Sequence, residues 1–82
     1  MKRNIELYDS ESNSYSGDID SKGSISLYGD GVKYLYGEID IQGNITLYDE
    51  DGNTISGNVG RNGSVSLYDS AGNHWHGEIK PS

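Results

Sequence analysis

The 82-residue chain has no cysteine, a single proline, and only six Lys and Arg against thirteen Asp and Glu. Without cysteine there is no disulfide framework, no thiolate metal site and no thiol nucleophile. The formal charge is −7 and the few basic residues are scattered. Phosphate contacts need clustered Lys and Arg, so nucleic acid is not an expected partner. Apolar residues make up only 32% and mean hydropathy is −0.74. No stretch is apolar enough for a leader or a membrane span to be expected in the sequence as given. Glycine, by contrast, is plentiful at twelve residues, and with so little proline it points to many tight turns rather than helices.

What the chain does contain is a repeat. Units 1–20, 21–40, 41–60 and 61–80 align without insertion or deletion, within one small domain spanning 1–82. Ile5, Ile25, Ile45 and Val65 share a column; Leu7, Leu27, Leu47 and Leu67 share another, each followed directly by Tyr8, Tyr28, Tyr48 or Tyr68. Gly17, Gly37, Gly57 and Gly77 align, as do Ile19, Ile39, Val59 and Ile79. A fixed period of this size marks units that complete their core only against their neighbours. Such strict apolar spacing also argues for an ordered chain despite its polarity.

Each unit holds two segments that alternate with period 2. Ile45 and Leu47 face one way while Asn44, Thr46 and Tyr48 face the other; Ile55, Gly57 and Val59 oppose Thr54, Ser56 and Asn58. This predicts two half-buried strands per unit. Paired residues must point to the same face, so Leu47 sits opposite Ile55 and leaves Glu50-Asp51-Gly52 as a three-residue loop. Between units the same reasoning pairs Ile19 with Ile25 around Ser21-Lys22-Gly23. Both loops place Gly last, where a left-handed backbone is wanted. Ser12 and Val32 depart from this pattern, and Gly29-Asp30-Gly31 is expected to turn differently. Loops this short exclude parallel crossovers.

The expectation is therefore an all-β, eight-stranded antiparallel meander of four β-hairpin repeats with one aliphatic face. That face is too large to leave wet. It must close into a small barrel or, alternatively, form an open sheet that dimerises. The Gly17 column falls between Ile5 and Leu27, making room in a crowded interior or at a bend, which favours closure.

For chemistry, the tyrosines stand out. Tyr8, Tyr28, Tyr48 and Tyr68 lie on the polar face beside the hairpin loops, and Tyr34, Tyr36, His74 and His76 are expected to thicken the same surface. Exposed aromatics beside Asp and Asn are able to stack sugar rings; equally, Tyr is a good strand residue that covers its cross-strand neighbours. His74-Trp75-His76-Gly77-Glu78 puts two imidazoles and a carboxylate on one strand face. Zinc sites usually draw ligands from several strands, so solvent-facing polar residues around a buried Trp75 are the expectation, with no metal. Asp49-Glu50-Asp51-Gly52-Asn53 resembles the start of a calcium loop, but Gly60 stands where the bidentate Glu is needed. No phosphate loop, no Ser-His-Asp set and no tuned acid pair is evident, so neither an enzyme nor a cofactor is expected.

Ala71-Gly72-Asn73-His74-Trp75-His76-Gly77-Glu78-Ile79 resembles the core of a MORN repeat, and Asp51-Gly52-Asn53-Thr54-Ile55-Ser56-Gly57-Asn58-Val59 has the same spacing. Tyr34-Leu35-Tyr36-Gly37-Glu38-Ile39 follows it in part. That resemblance implies hairpin sheets, open and extended, that dimerise and act as scaffolds. The spacing of Gly43, Gly52 and Gly57, repeated in Gly63, Gly72 and Gly77, is similar to that of 20-residue choline-binding repeats. With Ile45 and Val65 in that family's Trp column, the likeness implies hairpin architecture rather than the ligand. The reading is a non-catalytic structural or protein-interaction module, contacting a partner protein or its own copies through Tyr8, Tyr28, Tyr48, Tyr68, Tyr34 and Tyr36. A carbohydrate-binding module using that face is the alternative. Such unbroken register is also what consensus design, without a natural function, would leave.

Overall fold

In a computed structural model of the protein, residues 3–11, 13–29 and 34–81 are described. The sequence departures at Ser12 and at Asp30, Gly31 and Val32 lie outside them. Eight strands follow one another: β1 (Arg3–Tyr8), β2 (Ser14–Ile19), β3 (Ser24–Gly29), β4 (Tyr34–Ile39), β5 (Asn44–Tyr48), β6 (Thr54–Val59), β7 (Ser64–Asp69) and β8 (His74–Pro81). Each pairs antiparallel with the next, and β8 pairs with β1 to close a barrel. The open, dimerising sheet is not what forms, because the aliphatic face is consumed inside a single chain.

The predicted registers are those observed: Leu47 faces Ile55, and Ile19 faces Ile25. They also fix the geometry of closure. From Ile5 to its partner Gly17 and on to Leu27 crosses one unit and shifts the register by two residues, from the Ile5 column to the Leu7 column. Val65, Gly77 and Leu7 repeat that step across the β8–β1 seam. Four units thus accumulate a stagger of eight residues over eight strands. This combination tilts strands by about 36° and leaves an interior that side chains just fill.

A two-residue slip per unit also means that residues at one height are those sharing a sequence column. The core is a stack of four-membered rings. Ile19, Ile39, Val59 and Ile79 form the lowest, with Val59 and Ile79 only partly buried. Above lie Ile5, Ile25, Ile45 and Val65, then Leu7, Leu27, Leu47 and Leu67, all four leucines at 0% exposure. Tyr15, Leu35, Ile55 and Trp75 close the upper end. The glycine column lies between the Ile and Leu rings. A Cβ on Gly57 would run into the Ser66 carbonyl and stand 2.8 Å from Leu67 Cα; Gly17, Gly37 and Gly77 meet their neighbouring strands in the same way. Glycine is required there by the approach of backbone to backbone, rather than by the bulk of Ile5 and Leu27 alone.

Five described turns end on a left-handed glycine: Gly23, Gly43, Gly52, Gly63 and Gly72. Gly52 N–H donates to the Asp49 carbonyl (3.2 Å) and Asp49 N–H to the Asn53 carbonyl (3.1 Å), with Gly52 at φ 85°. In every described turn but Gly60–Gly63, where Asn62 Oδ1 accepts from Ser64 N–H, one aspartate satisfies further donors: Asp49 Oδ1 accepts from the N–H groups of Asp51 and Asn53, each at 2.9 Å. Asp9, Asp20, Asp40 and Asp69 repeat the arrangement, as the local preferences of Asp predict.

Candidate functional site

The strand alternation that buries the Leu column puts the following tyrosine outside. Tyr8, Tyr28, Tyr48 and Tyr68 all project from the upper half of the wall, Tyr28 and Tyr68 the most exposed at 61% and 56%. Barrel curvature then divides them. Tyr28 on β3 pairs with Tyr34 on β4, and Tyr36 on β4 pairs with Tyr48 on β5. Their ring centroids run 5.0 Å from Tyr28 to Tyr34, 5.7 Å to Tyr36 and 5.8 Å to Tyr48. On the far side, Tyr68 contacts His74 (4.9 Å), His74 contacts His76 (5.9 Å) and His76 contacts Tyr8 (5.7 Å).

The expected single surface is therefore two rows, one purely of tyrosine on β3–β5 and one of mixed Tyr and His across β7, β8 and β1. β4 and β8 are four strands apart in a barrel of eight, hence on opposite sides. The intervening strands present small polar groups instead: Ser14 and Ser16 on β2, Thr54 and Ser56 on β6. Even-numbered units carry the aromatic pair at these two positions and odd-numbered units do not. A two-unit period of 40 residues lay in the sequence unnoticed.

Ring orientation decides what the tyrosine row is able to bind. Adjacent planes differ by only 21–38° at separations of 5.0–5.8 Å. That is closer than rings lying flat beside one another allow: Tyr34 and Tyr36 stack, while the Tyr28–Tyr34 and Tyr36–Tyr48 contacts are tilted. Each ring thus covers part of its neighbour's face. In the other row His74 Nε2 lies 2.9 Å from Ser66 Oγ, and no group of three or more His, Asp or Glu suited to a metal occurs among the described residues.

Sequence reasoning missed a second aromatic feature, at the barrel mouth. Tyr15 and Trp75 belong to strands that flank β1 on either side, and closure brings their rings to 5.0 Å. Each is anchored to the aspartate of its own turn: Trp75 Nε1–H donates to Asp69 Oδ2 (3.2 Å) and Tyr15 O–H lies 3.5 Å from Asp9 Oδ2. Burial, then the Asp9 carboxylate, pushes the Tyr15 phenol above its ordinary value. For Asp69 burial acts upward, but N–H donors from Asn73, Trp75 and Ala71 outweigh it and hold the carboxyl low. The signal was present in the column Tyr15, Leu35, Ile55, Trp75, the one apolar ring whose members differ in kind.

Among the described residues every fully enclosed side chain is apolar, so chemistry is confined to the outer wall and the two ends. No protein-family model, no curated protein and no solved structure matches the chain.

Proposed function

We propose that the protein is a non-catalytic interaction module that engages a partner protein through the row Tyr28, Tyr34, Tyr36 and Tyr48. The observation carrying this reading is the continuous row of four tyrosine rings, each in contact with the next, with Tyr28, Tyr36 and Tyr48 exposed and Tyr34 half-buried between them. Rings already held by their neighbours lose little freedom on binding, and tyrosine offers apolar edges together with a hydroxyl. The same pattern places tyrosine among the residues that dominate protein interfaces. A sugar-stacking role is less well served, since stacking needs ring faces that the neighbouring rings here partly cover.

The test is a paired affinity enrichment from cell extract, using the native chain and a Tyr28→Ser/Tyr36→Ser variant that retains the barrel's circular dichroism. Proteins enriched by the native chain and lost by the variant are expected. Equal retention by both chains would remove the tyrosine row as the contact surface. Quenching of tyrosine fluorescence by soluble polysaccharide, abolished in the same variant, would replace the protein partner by a glycan.

A further inference from the structure

The negative charge of the molecule is gathered at one end of the barrel. Segments 9–13, 30–33, 49–53 and 69–73 join the strands at the upper end, and by sequence they hold seven carboxylates against one lysine, Lys33. The three connections of the lower end, 20–23, 40–43 and 60–63, hold two carboxylates and two cations. At the upper end a cavity of about 250 Å³ is lined by Tyr15, Tyr34, Leu35 and Trp75 and by turn residues 49–51. Tyr15, Leu35 and Trp75 are buried members of the uppermost core ring, so the floor is apolar and largely aromatic. Glu50 and Asp51 stand exposed at the rim. The field of the carboxylates reaches that floor: the Tyr15 phenol, raised first by burial, is raised further by Asp9, Glu11 and Asp49.

We propose that this cavity receives an arginine side chain of the partner protein, its guanidinium held between the rings of Tyr15, Tyr34 and Trp75 and the carboxylates of Glu50 and Asp51. An aromatic floor beneath an acidic rim selects a cation that carries apolar surface, because ring faces attract positive charge and a carboxylate-lined mouth turns anions away. Guanidinium meets both demands better than the ammonium of lysine. It is planar and weakly hydrated, stacks on aromatic rings, and offers a fork of donors to carboxylates. The volume falls below the ~300–1,000 Å³ of pockets that enclose a drug-sized ligand, which suits a single side chain. Tyr34 lines the cavity and also stands second in the tyrosine row, so a partner lying along the row meets the cavity without a break. The inference rests on the reading of that row as a protein contact, and adds that the contacting segment is basic.

Trp75 is the only tryptophan and lines the cavity, so its emission and its indole N–H resonance report occupancy directly. The blocked tripeptide acetyl-Gly-Arg-Gly-amide should shift both saturably in the millimolar range, binding more tightly at low than at high ionic strength. Its citrulline analogue, neutral and nearly isosteric, should bind about tenfold more weakly, having lost attraction to both rings and carboxylates. Glu50→Gln/Asp51→Asn, at exposed turn positions, should weaken the arginine peptide by about threefold with circular dichroism unchanged. Neither Tyr28 nor Tyr36 lines the cavity. The Tyr28→Ser/Tyr36→Ser variant should therefore bind the peptide as the native chain does, so that failure of the row and failure of the cavity are read separately. No saturable shift, equal binding of the arginine and citrulline peptides, indifference to Glu50→Gln/Asp51→Asn, or tighter binding of tetramethylammonium than of the arginine peptide would each overturn the proposal.

Discussion

Replacing Gly57 by alanine adds one methyl group to a residue whose backbone is otherwise unremarkable, yet the change should cost about as much as losing a large core side chain. The new Cβ would fall on the Ser66 carbonyl and stand 2.8 Å from Leu67 Cα. Both obstacles are backbone of the paired strand, so no flexible side chain is there to yield. Strand β7 would have to move away from β6, or bond angles would have to open; about 4 kcal/mol goes into a 15° distortion of a single angle. Overpacking alone costs ~1–3 kcal/mol, which puts the total at roughly 3–5 kcal/mol. An 82-residue domain has a stability of only about 4–12 kcal/mol, so the midpoint of thermal unfolding should fall by ~15–30 °C or the chain should not fold. Gly52→Ala is the internal control. Gly52 sits at φ +85° with nothing within 4 Å of a built Cβ, so only the left-handed backbone resists, at about 1–2 kcal/mol. Urea unfolding followed by Trp75 fluorescence, with circular dichroism as a second probe, compares the two variants directly. If Gly52→Ala proved the more damaging, close strand approach would not be why glycine occupies this column.

Leu47→Asp places a carboxylate in the fully buried leucine ring and should abolish folding rather than dissociate an assembly, since lost burial and an unpaired charge together cost several kcal/mol; a folded variant by circular dichroism would refute a closed core. Hydrogen bonds from the N–H groups of Ser24 and Asn44 hold the Asp20 and Asp40 carboxyls below their ordinary 3.8. Their contribution is complete above that value and is lost as pH falls through the lowered folded values, so thermal midpoints should drop below pH ~4, and less so in Asp20→Asn/Asp40→Asn. Tyr15 shifts the other way: its contribution is complete below pH 10.0 and is lost as pH rises through the raised folded value. Tyr15→Phe should accordingly flatten the alkaline decline.

Much of the fold was legible because the repeat states its constraints four times. Leu47 had to share a face with Ile55, and Ile19 with Ile25, so the loop lengths and the place of Gly52 in its turn followed from strand periodicity and turn chemistry. Those same registers already contained the two-residue slip per unit. Sequence periodicity alone allowed an aliphatic face to be covered by closure or by a second copy. Only the tertiary structure decided for closure, because it depends on accumulated strand twist and on β8 meeting β1 in register. Closure in turn sorted the surface. It placed Tyr34 and Tyr36 opposite His74 and His76, although the repeat aligns them in the same columns, since neighbours in a column are carried around a cylinder. It also brought Tyr15 against Trp75, residues sixty positions apart that no local rule connects. What the sequence by itself determined was everything set by neighbouring residues and paired strands: strand, turn, register and inward face. What the tertiary structure decided was everything set by curvature: which end carries the aromatic cavity, which tyrosines form one row, and where glycine is needed to let two backbones meet.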